Sequence, residues 1–329
     1  MAAKTPELDL REDYSTNTII NGNMDFWQRG TSFASPAAFS YTADRFQTIF
    51  SNTATRTISK DLVLIPNSQS RSSLKYLVGT ADASVAAGDA EELRYLVEGY
   101  DFLALAGKVF TLSFWVRSSI AGTYCVSFRN STTTRSYVTT YSISLANTWE
   151  YKTITLTHDT SGTWDYSSGL GLAIGFTFMA GTTYQAPTLN TWASANYISH
   201  SSAVNLMGTA GAQWNLSQVQ ITEGSETIPF RRAGKSIQKE MALCQRYYTK
   251  TASIDAAVNA GIQVSFRAIS TTQSWGTVSF PVRMRSIPTV VLHDNGQVAN
   301  TVQQQGTGVI SSVTVGTAVS DAGFALINA

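Results

Sequence analysis

From Ile19 onward the chain alternates apolar and polar residues with a period of two. In residues 108–117 (KVFTLSFWVR), Phe110, Leu112, Phe114 and Val116 share one face, while Thr111, Ser113 and Trp115 share the other. Such alternation predicts a strand with one buried side. Residues 122–130 repeat it with Tyr124, Val126 and Phe128, and residues 170–178 with Leu172, Ile174, Phe176 and Phe178. In residues 213–222 the apolar phase slips by one, from Trp214 and Leu216 to Val219 and Ile221. A β-bulge accounts for that slip. Further strands are expected at 45–50, 62–65, 74–79, 93–98 and 149–157. Strands this frequent, separated by Gly, Ser, Thr and Asn turns, predict an all-β antiparallel sandwich. Trp27, Trp149 and Trp214 fall in strand-like segments and are expected in its core.

The pattern changes after Gly234. Residues 236–248 (SIQKEMALCQRYY) place Ile237, Met241, Cys244 and Tyr248 at helical spacing, behind an N-cap at Ser236. The stripe fits either a linker helix packed on a domain or a short three-fold helical seam. Strand-like segments then resume at 261–268, 278–284, 289–293, 309–315 and 323–327. The expected organisation is a polar arm at 1–18, a β-sandwich at 19–232, a connecting helix at 233–249 and a small C-terminal β-domain at 250–329.

Composition narrows the function. The 329 residues carry 23 Lys and Arg against 22 Asp and Glu, a net charge of +1, and charged residues are only 14%. A nucleic-acid partner wants a basic face, which this balance does not supply. The most apolar run, 170–180, is far shorter than the roughly 20 residues that span a bilayer, so no membrane insertion is expected. The N-terminal segment has no apolar core of a secretory signal. Cys125 and Cys244 are expected to be reduced and structural.

Catalytic signatures are missing: no phosphate loop, dinucleotide fingerprint, nucleophile elbow or zinc-protease helix appears. His158, His200 and His293 stand in unrelated segments, with structural or solvent roles expected. Asp89, Glu91 and Glu92 read as a solvated turn, and Asp159 and Asp165 as turn or cap residues. No enzyme activity, cofactor or metal is expected. Two long polar connections are more informative. Residues 158–169 (HDTSGTWDYSSG) and 181–195 (GTTYQAPTLNTWASA) carry Trp164, Asp165, Tyr166, Tyr184 and Trp192. An aromatic ring offers a flat face to the C–H side of a sugar, and neighbouring polar groups bond its hydroxyls. These five are the candidate glycan-binding residues; the competing reading has the rings folded back as plugs on the sandwich.

Residues 19–30 (IINGNMDFWQRG) and 41–46 (YTADRF) resemble the opening of carbohydrate-binding-type modules in bacteriophage tail-fibre and other virion appendage proteins. Residues 105–118, 148–157 and 228–248 (IPFRRAGKSIQKEMALCQRYY) continue the resemblance in the same order. The layout is also similar to the jelly-roll carbohydrate-binding modules of glycanases, which end in a strand with paired aspartates. Here Ser217 and Gln218 stand at that place, and Asp25 alone is a poor ligand for a calcium ion that wants 6–8 oxygens. Structural calcium is therefore not expected. The resemblance implies a jelly-roll fold, a homotrimer, and a location on the virion after assembly in the host cytoplasm. It implies attachment to a tail or capsid socket through residues 1–18, and a host surface polysaccharide as ligand. Two alternatives stay open: a purely structural virion protein (head fibre, decoration protein or tail adaptor) and a polysaccharide depolymerase.

Overall fold

The structure, a computed structural model, describes residues 17–62, 65, 70–251, 267–268, 273–292, 302–304, 308–310, 314–315, 319–324 and 327–328. Two six-stranded antiparallel sheets form a jelly-roll sandwich. The first runs β1 (Ser32–Ala34), β3 (Arg56–Asp61), β4 (Ser73–Val78), β12 (Gln213–Glu223), β6 (Val109–Ser118), β9 (Glu150–Thr157). The second runs β11 (Trp192–Ala193), β8 (Ser136–Ile143), β7 (Gly122–Arg129), β10 (Leu170–Ala180), β5 (Ala90–Glu98), β2 (Phe46–Ser51). From β4 to β7 each strand lies in the opposite sheet to the one before, so the core closes only through contacts distant in sequence.

The alternating residues do what their period requires. Phe114 meets Phe176 edge-on at 5.2 Å, Phe110 meets Phe128 at 5.9 Å and Trp214 meets Phe178 at 4.9 Å, all across the two sheets. Each such side chain, removed from water, contributes roughly 1.5–3 kcal/mol. The slip in β12 is a bulge: Ser217 pairs with Trp115 and Gln220 with Ser113, so Gln218 and Val219 stand opposite Phe114 alone, with Gln218 at φ 51°. The N-terminal segment docks on this bulge. Val219 N–H donates to the Gly22 carbonyl at 2.9 Å, and any Cβ at Gly22 would collide with the Val219 carbonyl oxygen.

Several expectations are corrected. No strand includes Leu62 or Ile65; the strand is β3, six residues earlier in onset, and β1, β8 and β11 were not anticipated. Trp27 and Trp214 are fully buried, but Trp149 precedes the edge strand β9 and is only half-buried, with the Arg117 guanidinium 5.4 Å from its ring centre. Glu91 and Glu92 are not a solvated turn. Both are buried within β5, where Arg56 pairs with Glu91 at 2.8 Å and Arg129 pairs with Glu92. Burial pushes the Glu91 carboxyl up, against the opposing pull of Arg56. Their partners are 35 and 37 residues away, so no local pattern distinguishes these acids from exposed ones. Asp89 does stay in a turn, accepting from Ala86 N–H at 2.7 Å.

The helix runs Ile237–Gln245, with the Ser236 hydroxyl accepting from Lys239 N–H. Part of its stripe is used within the chain: Cys244 is buried with Ile20 and Phe26, and Met241 packs beside them, while Ile237 is exposed. Glu240 is buried too, its two oxygens accepting from Asn21 N–H (2.5 Å) and Gly234 N–H (2.6 Å). The residues after the helix close a latch. Tyr247 lies under the Arg45 guanidinium at 3.5 Å, and Tyr248 under that of Arg29 at 3.7 Å. Arg246 bonds both oxygens of Glu98 at 3.1 and 2.7 Å, and the Tyr247 hydroxyl donates to the same carboxylate. Gln28 bridges Asp44 (2.6 Å) and the Tyr248 carbonyl (2.9 Å). Parts of three segments singled out in the sequence, 19–30, 41–46 and 228–248, thus form one structure.

Beyond the helix, described strands are short. Val278–Ser279 pairs with Gly323–Phe324, and Gln273–Trp275 pairs with both Arg267–Ala268 and Ile327–Asn328. The expected strand at 278–284 stops at Ser279, just before Phe280 and Pro281, and Thr289–Leu292 form none. His293 and most of 261–268 lie outside the described residues, as do residues 1–16 of the expected arm. Asn17 and Thr18 dock on β12, the Asn17 amide oxygen accepting from Ile221 N–H at 3.0 Å. Arg285 joins this part to the sandwich, its N–H donating to the Arg246 carbonyl (2.9 Å) and its guanidinium to the Ser168 carbonyl (2.6 Å).

Candidate functional site

One end of the sandwich is built by the β9–β10 connection, the β5–β6 connection and the short strand β11. The first of these is held by its own polar residues. Asp159 accepts from Ser161 N–H at 2.9 Å and Asp165 from Ser167 N–H at 2.6 Å, each a local carboxylate turn. Gly99 and Tyr100, in the helical turn Gly99–Phe102, donate their N–H groups to the Gly169 and Ser167 carbonyls. A Cβ at Gly99 would sit within 2.6 Å of backbone atoms of Asp165 and Ser167, so only glycine lets the two connections approach this closely.

Aromatic rings fill the space between them. Phe102 is the hub: Tyr166 stacks on it at 6.1 Å with an interplanar angle of 12°, Trp164 lies at 5.6 Å, and His158 meets it edge-on at 5.0 Å. Trp192 stands perpendicular to Trp164 at 5.6 Å and continues to Tyr137 at 5.4 Å. The indole N–H groups are spoken for, Trp164 by the Ser161 carbonyl and Trp192 by the Thr157 carbonyl, both at 2.9 Å.

Of the five expected residues, Trp164, Asp165, Tyr166 and Trp192 come together here and Tyr184 does not. Trp164 is 9% exposed and belongs to the core, while Tyr166 keeps 36% of its surface and Trp192 is half-buried. Tyr184 follows the opposite end of β10, an 11-residue strand spanning roughly 35 Å. There its carbonyl accepts from Ile198 N–H, next to a cleft of about 160 Å³ lined by Met179, Gln185, His200, Val204 and Asn205. Tyr100, 60% exposed, was missed; its backbone N–H donates to the carbonyl of Ser167, the residue after Tyr166. Tyr100 and Asp101 carry the same signal as 158–169, an aromatic next to an acid in a connection.

Charge at this end is paired and local. Arg135 donates to Asp159 and to the Ser194 hydroxyl, both at 2.5 Å. Burial works against ionisation of Asp159, but the Ser161 and Arg135 bonds outweigh it and hold the carboxyl below its usual range. The Ser167 hydroxyl and N–H do the same for Asp165. Neither acid is therefore tuned as a proton donor near neutrality, which requires an upward shift. Among the described residues no cluster of three or more His, Cys, Asp and Glu is placed to hold a metal ion. Asp25 instead pairs with Arg232 at 2.9 Å, and Ser217 bonds the Ser72 carbonyl. Among the described residues no helix is long and apolar enough to cross a membrane. Cys125 and Cys244 are buried free thiols, pushed up by burial.

No known family model matches the chain, and no curated protein matches it in sequence. Solved structures match the chain at low similarity. One is the enzymatically active domain of bacteriophage CBA120 tailspike protein 4, at 11% identity and a TM-score of 0.34 over 64% of this chain and 22% of that one. The chain thus spans under a quarter of that tailspike. The family 11 carbohydrate-binding module from Clostridium thermocellum, in complex with a β-1,3-1,4-mixed-linked tetrasaccharide, gives 11% identity and a TM-score of 0.31, covering 60% and 99%. TmCBM61 in complex with β-1,4-galactotriose gives 11% and 0.30, covering 63% and 99%.

Proposed function

We propose that the chain is a non-catalytic glycan-recognition protein of a phage virion appendage, and that the aromatic end of its sandwich takes a host surface polysaccharide. The observation that carries this reading is the pairing of rings with fixed polar groups. Tyr166 rests on Phe102 with its outer surface open, Tyr100 and Trp192 lie in the adjoining connections, and Asp165, Arg135 and Ser194 are held beside them. Tyr166 and Tyr100 supply apolar faces for sugar C–H groups, and the held side chains supply hydroxyl partners without further ordering cost. The virion placement rests on the ordered resemblance of residues 19–248, whose most distinctive segments meet in the latch. In a homotrimer attached through residues 1–18 to a tail or capsid socket, three weak sites act together and gain by avidity.

Purified protein tested against a panel of bacterial surface polysaccharides is expected to bind at least one. Substitution of Tyr166 by Ala is expected to weaken that binding about 10-fold, near 1.4 kcal/mol. Binding to none of the panel, or binding indifferent to Tyr166 and Trp192 substitution, rejects the site. One observation favours a second reading, a purely structural virion protein. Trp164 has turned inward and both indole N–H groups are bonded within the chain. Deleting residues 1–18 separates the two: intact particles that no longer adsorb support recognition, and failed particle assembly supports the structural role.

A further inference from the structure

His158 lies directly beneath the aromatic surface, 4% exposed. Its ring stands nearly perpendicular to Trp164 at 4.5 Å and to Phe102 at 5.0 Å. Its Nδ1 accepts from Gly107 N–H at 2.9 Å, and its own backbone N–H donates to the Lys108 carbonyl at 2.9 Å. A ring nitrogen that accepts an N–H bond carries no proton, so the imidazole is neutral with its hydrogen on Nε2. Nε2 is buried without a hydrogen-bond partner among the described residues.

We infer that neutral His158 is the positioning residue of the aromatic surface, and that its protonation releases Trp164 and, through it, Tyr166 and Trp192. The functional consequence, a surface that loosens in acid, rests on the glycan reading above. A proton on Nδ1 would face the Gly107 N–H, donor against donor, and would put a charge among rings. The attraction of an imidazolium for aromatic faces is set against that reversed bond and the lost hydration. The surrounding charges do not compensate. Asp159 is adjacent but engaged by Arg135 and Ser161. Lys108 is paired with Glu223, Asp165 is bonded to Ser167, and Asp101 stands in the helical turn that carries Phe102.

Burial holds the imidazole below its ordinary 6.5, outweighing the opposite pull of Asp159. The unfolded chain therefore takes the proton first as pH falls. The stability that neutral His158 contributes is complete above about 6.5 and is lost as pH drops from there through the folded value.

The test follows two signals from about pH 8 to about pH 4 in the full chain. His158 ionisation is read by carbon-13 NMR, its resonance identified by loss in His158→Asn. The Trp164 environment is read by fluorine NMR of fluorotryptophan-labelled protein, identified by loss in Trp164→Phe. The expected result is a His158 midpoint below 6.5 with the Trp164 resonance shifting in step, while Trp27 and Trp214 in the core stay unchanged. His158→Asn keeps an acceptor for Gly107 N–H but takes no proton, and is expected to abolish the Trp164 shift. Three results overturn the inference: a midpoint at or above 6.5, a His158 that stays neutral until the core tryptophans also change, or ionisation that leaves Trp164 unmoved. If His158→Asn fails to fold, the paired titration of the unaltered chain decides alone. No glycan is used, so a coupled transition in a protein that binds no polysaccharide rejects the glycan reading and leaves this inference standing.

Discussion

The latch and the aromatic end both gather rings and charges from distant segments, but they spend them differently. At the latch, Tyr247 and Tyr248 are covered by guanidinium groups, and the Glu98 carboxylate is filled by Arg246 and Tyr247. Burial pushes the Tyr95 hydroxyl beneath it up to about 12, and that hydroxyl accepts from Ile20 N–H. At the aromatic end the stack begins in the core at Phe102 and stops half-way out, leaving Tyr166 and Tyr100 partly or largely uncovered. A closed set of partners makes stability, since any loss strands a buried group. An open set leaves faces on which a ligand can complete the packing. The same residue types therefore hold the fold in one place and remain available in the other.

The contrast breaks most readily at Arg45. Arg45→Ala removes a buried guanidinium from the Tyr247 and Tyr95 rings and from the Leu96 carbonyl, and is expected to cost about 3–4 kcal/mol in urea unfolding. Glycan binding by the fraction still folded should be unchanged. Trp164→Ala is expected to cost about 3 kcal/mol and to abolish binding as well, because this ring belongs to both the core and the stack. A stability loss under about 1 kcal/mol would mean that the connection repacks without it.

Acid tests the latch by another route. Burial opposes ionisation of Glu98, yet Arg246 and Tyr247 outweigh it and hold the carboxyl below its ordinary 4.5. Its contribution is thus full above about 4.5 and lost as pH falls through the lower folded value. Unfolding curves of Glu98→Gln should show less acid dependence in that window than those of the unaltered chain. The smallest expected stability effect is at Tyr166→Ala, at most about 0.5 kcal/mol, with the 10-fold loss of binding already given. A large loss of stability there would turn the open face into part of the core and erase the contrast.

How much of this was legible differs residue by residue. The period-2 runs located β6, β7, β10 and β12 and even the bulge, because one face of each strand must be apolar and a bulge inverts that face in place. Strand β8 (SYVTTYSI) was missed because its apolar residues Tyr137, Val138, Tyr141 and Ile143 alternate only in its second half, and β3 (RTISKD) has almost no apolar residues to alternate. Local composition picked out the loop aromatics, but it carried no information on their exposure or on which end of the sandwich each one reaches. Trp164 and Tyr166 stand two residues apart in one connection, one packed in and one facing out. Tyr184 satisfied the same local argument and lies at the other end of the sandwich.

The sequence by itself determined the β-sandwich, the position and cap of its helix, and which connections are rich in rings, because these follow from short-range periodicity and local hydrogen bonding. Only the tertiary structure decided which acids are buried, which motif residues form the latch, and which rings share a surface. Glu91 and Arg56, Glu98 and Arg246, and Arg29 and Tyr248 meet across 35, 148 and over 200 residues. Alternation along a strand selects the face a side chain takes, but the partner waiting on that face is supplied by strand order, which no local pattern encodes.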